Sequence, residues 1–213
     1  MKIGVIGSGI VGQTLAAGFL KHGYQVMIGT RNPEKLADWQ KDAGKGSDIA
    51  SFAETAAFGE TIVLAVKGTV ALSALEMAGA ANLQGKTVLD ATNPIADAAP
   101  EDGVIKFFTT FDESLMEQLQ QAFPVANFVK AFSCVGAALM VNPDFGDQKP
   151  TMFIAGNDET AKSEASKIID QFGFEIEDMG TAVAARAIEP LCILWCIPGF
   201  RQNSWMHAFK MLR

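Results

Sequence analysis

The chain has 213 residues, 49% of them apolar, and a formal net charge of −7. That acidity disfavours nucleic acid and anionic membrane surfaces as partners, and three cysteines without framework spacing are typical of a reducing cytoplasm. No signal peptide is expected, and the longest apolar run, 191–200, is too short to span a bilayer. We therefore expect a cytoplasmic chain, not bound to a membrane, with one domain or one domain and a small extension.

The first twelve residues read MKIGVIGSGIVG, an apolar strand that leads directly into a glycine-rich turn. Gly7 permits the tight turn, Gly9 lets the backbone approach a pyrophosphate, and Gly12 lets the following helix pack closely on the strand. Free N–H groups at the start of that helix would face the phosphates. The motif alone is weak, but its place between a strand and a helix predicts a dinucleotide site. The predicted cofactor contacts in this turn are Gly7, Ser8, Gly9, Ile10, Val11 and Gly12.

The end of the predicted second strand, 24–29, indicates which dinucleotide binds. An NAD-selective site usually has a carboxylate there, whereas this chain has Thr30 and Arg31, with Lys35 one helical turn later. Arg31 can form paired hydrogen bonds to a 2′-phosphate, and Thr30 can donate its hydroxyl. The alternative is an ordinary surface Arg and Lys beside a helix cap. A basic pair in an acidic chain argues against that alternative, so we predict NADP(H).

Strands and helices alternate along the rest of the chain, which predicts an α/β fold: a Rossmann-type doubly wound parallel sheet. We place the dinucleotide-binding domain at 1–140 and a small C-terminal α/β extension, packed on it and carrying acceptor or dimer contacts, at 141–213. Further strands are predicted at 49–52, 61–66, 87–91, 127–132, 151–155 and 174–177. Helices are predicted at 33–43, capped by Asn32, and at 54–57 and 69–79. A further helix is predicted to follow a capping box at 110–113, and another to run from a cap at Asn157 to a stop at Gly173. The last predicted helix, 181–195, has a break at Pro190.

Ligands of such sheets bind outside the carboxyl ends of the strands. Asn93 is placed there to hydrogen-bond a carboxamide or an acceptor ring, although Asn-Pro is equally an ordinary turn sequence. Lys67 could reach ribose or phosphate, but a solvated loop lysine is favoured. Cys134 has no histidine nearby in sequence, so we expect it to pack and not to act as a nucleophile. The predicted cofactor contacts at these strand ends are Ala65, Val66, Lys67, Asn93, Pro94 and Ala131.

The chain is poor in groups that could move a proton at a reacting carbon. No lysine or histidine lies between Lys167 and Lys210 except His207, and Tyr24 is the single tyrosine. Dehydrogenases of hydroxyl groups need such a group, whereas hydride exchange between a nicotinamide and a flavin-like ring needs mainly stacking and alignment. A zinc site is not expected, because Cys192 and Cys196 lack suitable nitrogen partners.

Several segments together resemble the coenzyme F(420)-dependent NADP oxidoreductase family, whose nucleotide domain is similar to the cytosolic part of the six-transmembrane ferric reductases. The resemblance implies 2′-phosphate binding by Thr30, Arg31 and Lys35, a nicotinamide near Asn93 and the strand end 131–134, and an acceptor ring against the last third of the chain. It rests on the glycine turn, IGTRNPEK at 28–35, VKAF at 129–132, VGA at 135–137, AGND at 155–158, RAIEPL at 186–191 and FKMLR at 209–213.

The chain departs from the family pattern near the expected acceptor. Ser133-Cys134 stands where members often have Asn-Thr, and Cys192 replaces an expected small hydroxyl residue. The expected partner is thus a small-molecule redox acceptor, either coenzyme F(420) or another flavin-like ring. Two alternatives stay open: an NADP(H)-binding redox sensor without turnover, and an imine or 3-hydroxyacid reductase, which would carry a longer helical C-terminal domain. The apolar run 191–200 predicts a pocket wall or a dimer contact, and we favour a homodimer.

Overall fold

A computed structural model describes residues 1–213, in which eight strands form one sheet in the order β3-β2-β1-β4-β5-β6-β7-β8. The first six strands are mutually parallel, β7 pairs antiparallel with β6, and β8 runs parallel to β7. The predicted Rossmann-type fold is confirmed. The strands are β1 (Lys2–Ile6), β2 (Gln25–Gly29), β3 (Ser47–Ala50), β4 (Thr61–Leu64), β5 (Thr87–Asp90), β6 (Asn127–Lys130), β7 (Thr151–Gly156) and β8 (Glu175–Asp178).

Helices cover both faces of the sheet. Because successive strand residues point to opposite faces, Val5 packs in the core under α1 and α7, while Ile6 packs in the core under α3, α4 and α6. The helices are α1 (Ile10–Lys21), α2 (Ala37–Ala43), α3 (Phe52–Phe58), α4 (Ala71–Ala78), α5 (Ala80–Leu83), α6 (Leu115–Ala122), α7 (Glu159–Gln171), α8 (Ala185–Ile188) and α9 (Leu191–Gln202).

The predicted start of α6 is wrong. The capping box is formed by Ser114, whose Oγ accepts from the Glu117 amide at 3.2 Å, and by Glu117, whose carboxylate accepts from the Ser114 amide at 2.8 Å. Thr110 and Glu113, the predicted pair, lie in the preceding turn. Both pairs fit the sequence pattern, so the apolar residues that α6 buries decide between them.

The predicted cap of α7 is wrong by one residue. Asp158 caps the helix, since its Oδ1 accepts from the Ala161 amide at 2.7 Å. The neighbouring Asn157 instead accepts from the Ala182 amide at 2.9 Å, which ties the end of β7 to the segment before α8.

The last third of the chain extends the same sheet through β7 and β8, and the boundary at 140 stays a prediction. Pro190 divides the predicted helix 181–195 as expected, but α9 continues beyond it to Gln202. The segment Ala182–Gln202 also has the length and apolar composition of a membrane-crossing helix. Within this fold it is broken at Pro190, and Glu189 is buried inside the protein.

Candidate active site

The glycine turn lies at the carboxyl end of β1, between the ends of β2 and β4. Gly7 has a φ of +129°, and a Cβ built there would lie 2.3 Å from the Ala65 carbonyl oxygen. A Cβ on Gly12 would lie 2.0 Å from the Gly7 carbonyl oxygen. A Cβ on Gly9, in contrast, would meet nothing within 4 Å. Packing therefore requires Gly7 and Gly12, while the space above Gly9 is open to a ligand.

The first turn of α1 faces the same open space. Gly9 is the N-cap and offers no side-chain cap, and the first turn contains no acidic residue. The exposed Ile10 begins the helix, and Gln13 Nε2 donates to the Ser8 carbonyl at 2.8 Å, which supports the turn. An uncapped helix start of this kind suits the pyrophosphate of a dinucleotide.

At the end of β2, one predicted contact is buried and two are exposed. Thr30 is 7% exposed, and its Oγ1 lies 3.0 Å from Ser8 Oγ and accepts from the Asn32 amide at 3.1 Å. Its hydroxyl thus holds the β2 end against the glycine turn. Arg31 and Lys35 are exposed and form no ion pair. Both cations are therefore available to an anionic group.

A cleft of about 400 Å³ runs from the glycine turn towards the end of β5, and Val11, Val66 and Asn93 contribute to its wall. Asn93 Nδ2 donates to the Ser133 carbonyl at 2.7 Å, which connects the ends of β5 and β6. Asn93 Oδ1 and Ser133 Oγ are buried without a hydrogen-bond partner. A nicotinamide carboxamide has a donor and an acceptor that match this pair, so the residues present fit that group.

The other predicted contacts at the strand ends differ in accessibility. Lys67 is exposed and lies 3.7 Å from Asp97 in a solvent-facing ion pair. Ala65 and Pro94 are buried, and Ala131 is fully buried in the core. The roles of these residues in binding stay predictions.

Sequence reasoning missed a fully buried ion cluster beside this edge. Lys130 Nζ lies 2.7 Å from Asp90 Oδ2 and 2.8 Å from Glu189 Oε1, and it donates to the Thr92 carbonyl at 2.9 Å. Burial disfavours the charged amine, but the two carboxylates outweigh it and the pKa of Lys130 lies above its ordinary value. The signal available in the sequence was one charged residue at the end of each of two apolar strands, and Asp90 and Lys130 are indeed register partners.

Glu189 connects this ion cluster to the start of α6. Its carboxylate accepts from the amides of Leu115 at 3.0 Å and Met116 at 3.1 Å. These bonds satisfy two of the free amides of the helix N-terminus. One buried side chain thereby joins the α8–α9 junction, the end of β6 and the start of α6.

A second cavity, of about 410 Å³, opens beside α6. On its wall Arg186 binds Glu117 through two donors, with Nη2 at 2.7 Å from Oε1 and Nε at 3.0 Å from Oε2. The hydrogen bonds from Arg186 lower the pKa of Glu117 to about 2. The cavity is lined by Phe107, Thr109, Thr110, Phe111, Ser114, Arg186, Glu189, Pro190 and Ile193.

All three cysteines are free thiols, and Cys134 and Cys192 are buried. Cys134 is 3% exposed, and burial raises the pKa of its thiol to about 12, which is typical of a packed cysteine. The pKa of Cys192 is raised by its hydrogen bond with Cys196 and by burial, while the pKa of the half-buried Cys196 is lowered by the same bond. No group of three or more His, Cys, Asp or Glu side chains is arranged to hold a metal ion.

Comparison with known proteins agrees with this geometry. The model of the family described as coenzyme F(420)-dependent NADP oxidoreductase matches residues 2–94. A crystal structure of a candidate F(420)-dependent NADP reductase from Arthrobacter sp. FB24 is 33% identical, with a TM-score of 0.92, and the alignment covers 100% of both chains. An imine reductase from Streptomyces aurantiacus has a TM-score of 0.67 over 94% of this chain and 63% of its own, but at 16% identity it shows the fold alone.

Among curated proteins, the metalloreductase STEAP3 of Rattus norvegicus is 30% identical over 202 residues, which is 92% of this chain and 38% of that protein. The metalloreductase STEAP2 of Homo sapiens is 27% identical over 90% of this chain and 36% of its own length. The chain thus spans well under half the length of these curated relatives. From the full-length match to the Arthrobacter structure and the family match across the nucleotide-binding half, the chain belongs to the coenzyme F(420)-dependent NADP oxidoreductase family.

Proposed function

We propose that the protein is an NADPH-dependent oxidoreductase that exchanges a hydride between the nicotinamide and a deazaflavin or flavin-like ring. The observation that carries the proposal is the carboxyl edge of the sheet, where an open glycine turn borders a cleft walled in part by Asn93, and a second, partly aromatic cavity lies across the bridge between Ile95 and Phe107. NADPH supplies one hydride, and the acceptor takes it together with a proton from water, leaving NADP⁺ and a ring reduced by two electrons.

The preference for NADPH rests on the two free cations at the end of β2. Arg31 and Lys35 are exposed and unpaired, and Thr30 fixes this strand end against the glycine turn through Ser8. Arg31 would form paired hydrogen bonds to the 2′-phosphate, and Lys35 would add a second positive charge. NADH lacks this phosphate and would gain nothing from either residue.

The roles of the other residues are binding and orientation. Asn93 Oδ1 and Ser133 Oγ would receive the carboxamide, which fixes the ring plane, and the backbone at Gly9 would receive the pyrophosphate. Lys130 is held between Asp90 and Glu189, so it is unable to act as a proton donor to substrate. A reaction that needs mainly ring alignment suits a site of this kind.

The test is NADPH oxidation by the pure protein with coenzyme F(420), FMN, FAD and riboflavin offered in turn, and with NADH as the control donor. We expect turnover with at least one ring and a kcat/KM at least about tenfold higher for NADPH than for NADH, as expected for loss of a charged hydrogen-bonding group. Tight NADPH binding without turnover on any ring would instead favour the redox sensor. Turnover of an imine or a 3-hydroxyacid, but of no ring, would favour the reductase alternative.

We also propose that the protein acts as a homodimer in the cytoplasm. Its three cysteines are free thiols, and α9 leaves Leu194 55% exposed and Phe200 49% exposed. Exposed apolar side chains on one helix support a contact between copies. Light scattering on the wild type and on Leu194→Glu tests this: a wild-type monomer would contradict it, and a dimer that the substitution dissociates would support it.

A further inference from the structure

Thr92, where the chain leaves the sheet, is held by charged side chains and not by a neighbouring strand. The main-chain hydrogen bonds between β4 and β5 end with Ala91, whose amide donates to the Leu64 carbonyl at 3.0 Å. The amide and the hydroxyl of Thr92 both donate to Asp90 Oδ1, at 2.9 Å and 2.6 Å. Its carbonyl accepts from Lys130 Nζ at 2.9 Å. Both main-chain polar groups of Thr92 therefore depend on the buried ion cluster.

The ammonium group of Lys130 is fixed from three sides. Three oxygen atoms surround Nζ: Asp90 Oδ2 at 2.7 Å, Glu189 Oε1 at 2.8 Å and the Thr92 carbonyl at 2.9 Å. An ammonium group has three N–H bonds, so each of them has an acceptor within reach. Because the side chain is fully buried, bulk water does not compete for these contacts. The Thr92 carbonyl is therefore held in one position.

Stability alone does not account for a charged cluster at this place. Apolar residues of similar volume often stabilise a fold as well as a buried ion pair or better, because removing charges from water is costly. A cluster of charges instead fixes directions, since each N–H has to meet one particular oxygen atom. In this cluster one of those directions leads to the main chain, at the Thr92 carbonyl.

Asn93 follows directly, and the Thr92 carbonyl belongs to the peptide plane that joins the two residues. Fixing that carbonyl therefore also fixes the main-chain nitrogen and the Cα of Asn93. Its side chain is held as well, because Nδ2 donates to the Ser133 carbonyl at 2.7 Å. A Cβ on Gly68 would lie 2.1 Å from the Asn93 carbonyl oxygen, so these two segments are in close contact. Asn93 Oδ1 is thus a buried acceptor without a partner, on a residue that is held from several sides.

We propose that Lys130 and Asp90 are positioning residues for cofactor binding: by holding Thr92 they fix Asn93 Oδ1 as the acceptor for the NH₂ group of the nicotinamide carboxamide. Neither Lys130 nor Asp90 touches the cofactor in this role. The inference rests on the proposed function, in which Asn93 receives the carboxamide, and adds the groups that keep its acceptor in place. A stabilising role alone would lower the free energy of unfolding without changing which substituent of the ring the site prefers.

The experiment compares the Kd values of three ligands by calorimetric titration, so that no electron acceptor is needed. The ligands are NADP⁺, its 3-acetylpyridine analogue, in which a methyl group replaces the carboxamide NH₂, and 2′-phospho-ADP-ribose, which lacks the ring. The wild type should bind NADP⁺ about tenfold more tightly than the analogue, because the methyl group leaves Asn93 Oδ1 unpaired. In Asn93→Ala this ratio should fall to about one, since the acceptor itself is missing.

Two variants test the positioning role. Lys130→Met should bring the ratio close to one, and Thr92→Val should lower it to about threefold, while the Kd for 2′-phospho-ADP-ribose stays within about twofold of the wild-type value. Thr92→Val keeps every charge of the cluster and removes only the hydroxyl that donates to Asp90, so it decides the question if Lys130→Met does not fold. Lys162→Met is the matched control, because Lys162 also contacts two carboxylates but does not line the cleft. Its ratio should stay at about tenfold.

The outcomes separate this inference from the proposed function. Equal Kd values for NADP⁺ and the analogue in the wild type would overturn the carboxamide contact and the positioning role with it. A ratio that stays at the wild-type value in both Lys130→Met and Thr92→Val would overturn the positioning role and leave Lys130 a purely stabilising residue. The expected ratios together with no turnover on any ring would support the positioning role and overturn the proposed hydride transfer.

Discussion

Replacing the buried Lys130 with methionine removes the one cation of the ion cluster and leaves two carboxylates facing its place. Asp90 keeps its hydrogen bonds from Thr92, and Glu189 keeps those from the α6 amides. Breaking a buried pair by removing one partner typically costs about 3–5 kcal/mol, because an uncompensated charge remains in the interior. Against a typical total stability of about 5–15 kcal/mol, the variant should lose about a fifth of its free energy of unfolding or more.

Urea unfolding followed by circular dichroism measures this loss, and Lys162→Met provides the matched control. Lys162 also contacts two carboxylates, Asp178 and Glu159, both at 2.8 Å, but those partners are 43% and 84% exposed. Because water replaces a lost partner there, the control should cost only about 1 kcal/mol. Equal losses in the two variants, or a loss below about 1 kcal/mol for Lys130→Met, would refute the reasoning from burial.

Four further outcomes are expected. Arg31→Ala should weaken NADPH binding by about 1–3 kcal/mol and spare NADH in calorimetric titration; equal losses would contradict the role assigned to the β2 end. Glu117→Gln should destabilise the protein by about 1 kcal/mol at pH 7 after allowance for solvent screening. Since the folded pKa of Glu117 is lowered from 4.5 to about 2, that contribution is complete above the unfolded value and disappears as pH falls through this interval, as urea unfolding at pH 7, 4 and 3 would show. Cys196 should be the first thiol alkylated by iodoacetamide in the folded protein, while labelling of Cys134 at the same rate would contradict its burial. Gly12→Ala should abolish NADPH binding or cost about 1–3 kcal/mol of stability, because its Cβ would lie 2.0 Å from a carbonyl oxygen; wild-type binding and stability would refute that contact.

Local patterns in the sequence predict the sheet and its glycine turn because both depend on neighbouring residues. Alternation of apolar strands with helices is sufficient for a parallel sheet, and every predicted strand is present, although four of them are one or two residues shorter than predicted. The turn at Gly7 and Gly12 is encoded within twelve residues, so its geometry follows from the motif. The antiparallel addition of β7 is a long-range feature, and no local pattern reports strand direction.

The helix caps and the ion cluster depend on competition between distant groups. Thr110 and Ser114 both stand three residues before a glutamate, and only packing of α6 on the sheet selects the second. The buried Lys130 amine is held by carboxylates from two distant parts of the chain, Asp90 and Glu189. The sequence contains Lys130 and Glu189, but no local pattern in it predicts that their side chains are in contact in the folded chain.

The two ends of the sheet's carboxyl edge differ in whether their cations are already paired with carboxylates. This difference favours one orientation of a dinucleotide in the proposed site. At the β2 end, Arg31 and Lys35 are free in a chain of net charge −7, so an anion gains two unshared cations there. In the cavity beside α6, Arg186 is already held by Glu117, and the buried Lys130 is held by Asp90 and by the cavity residue Glu189. A dinucleotide bound in reverse would place its adenosine 2′-phosphate among the carboxylates and leave the free cations without a partner, so electrostatics and the glycine turn favour the same orientation. In the proposed function the nicotinamide would then lie at the Asn93 end of the cleft.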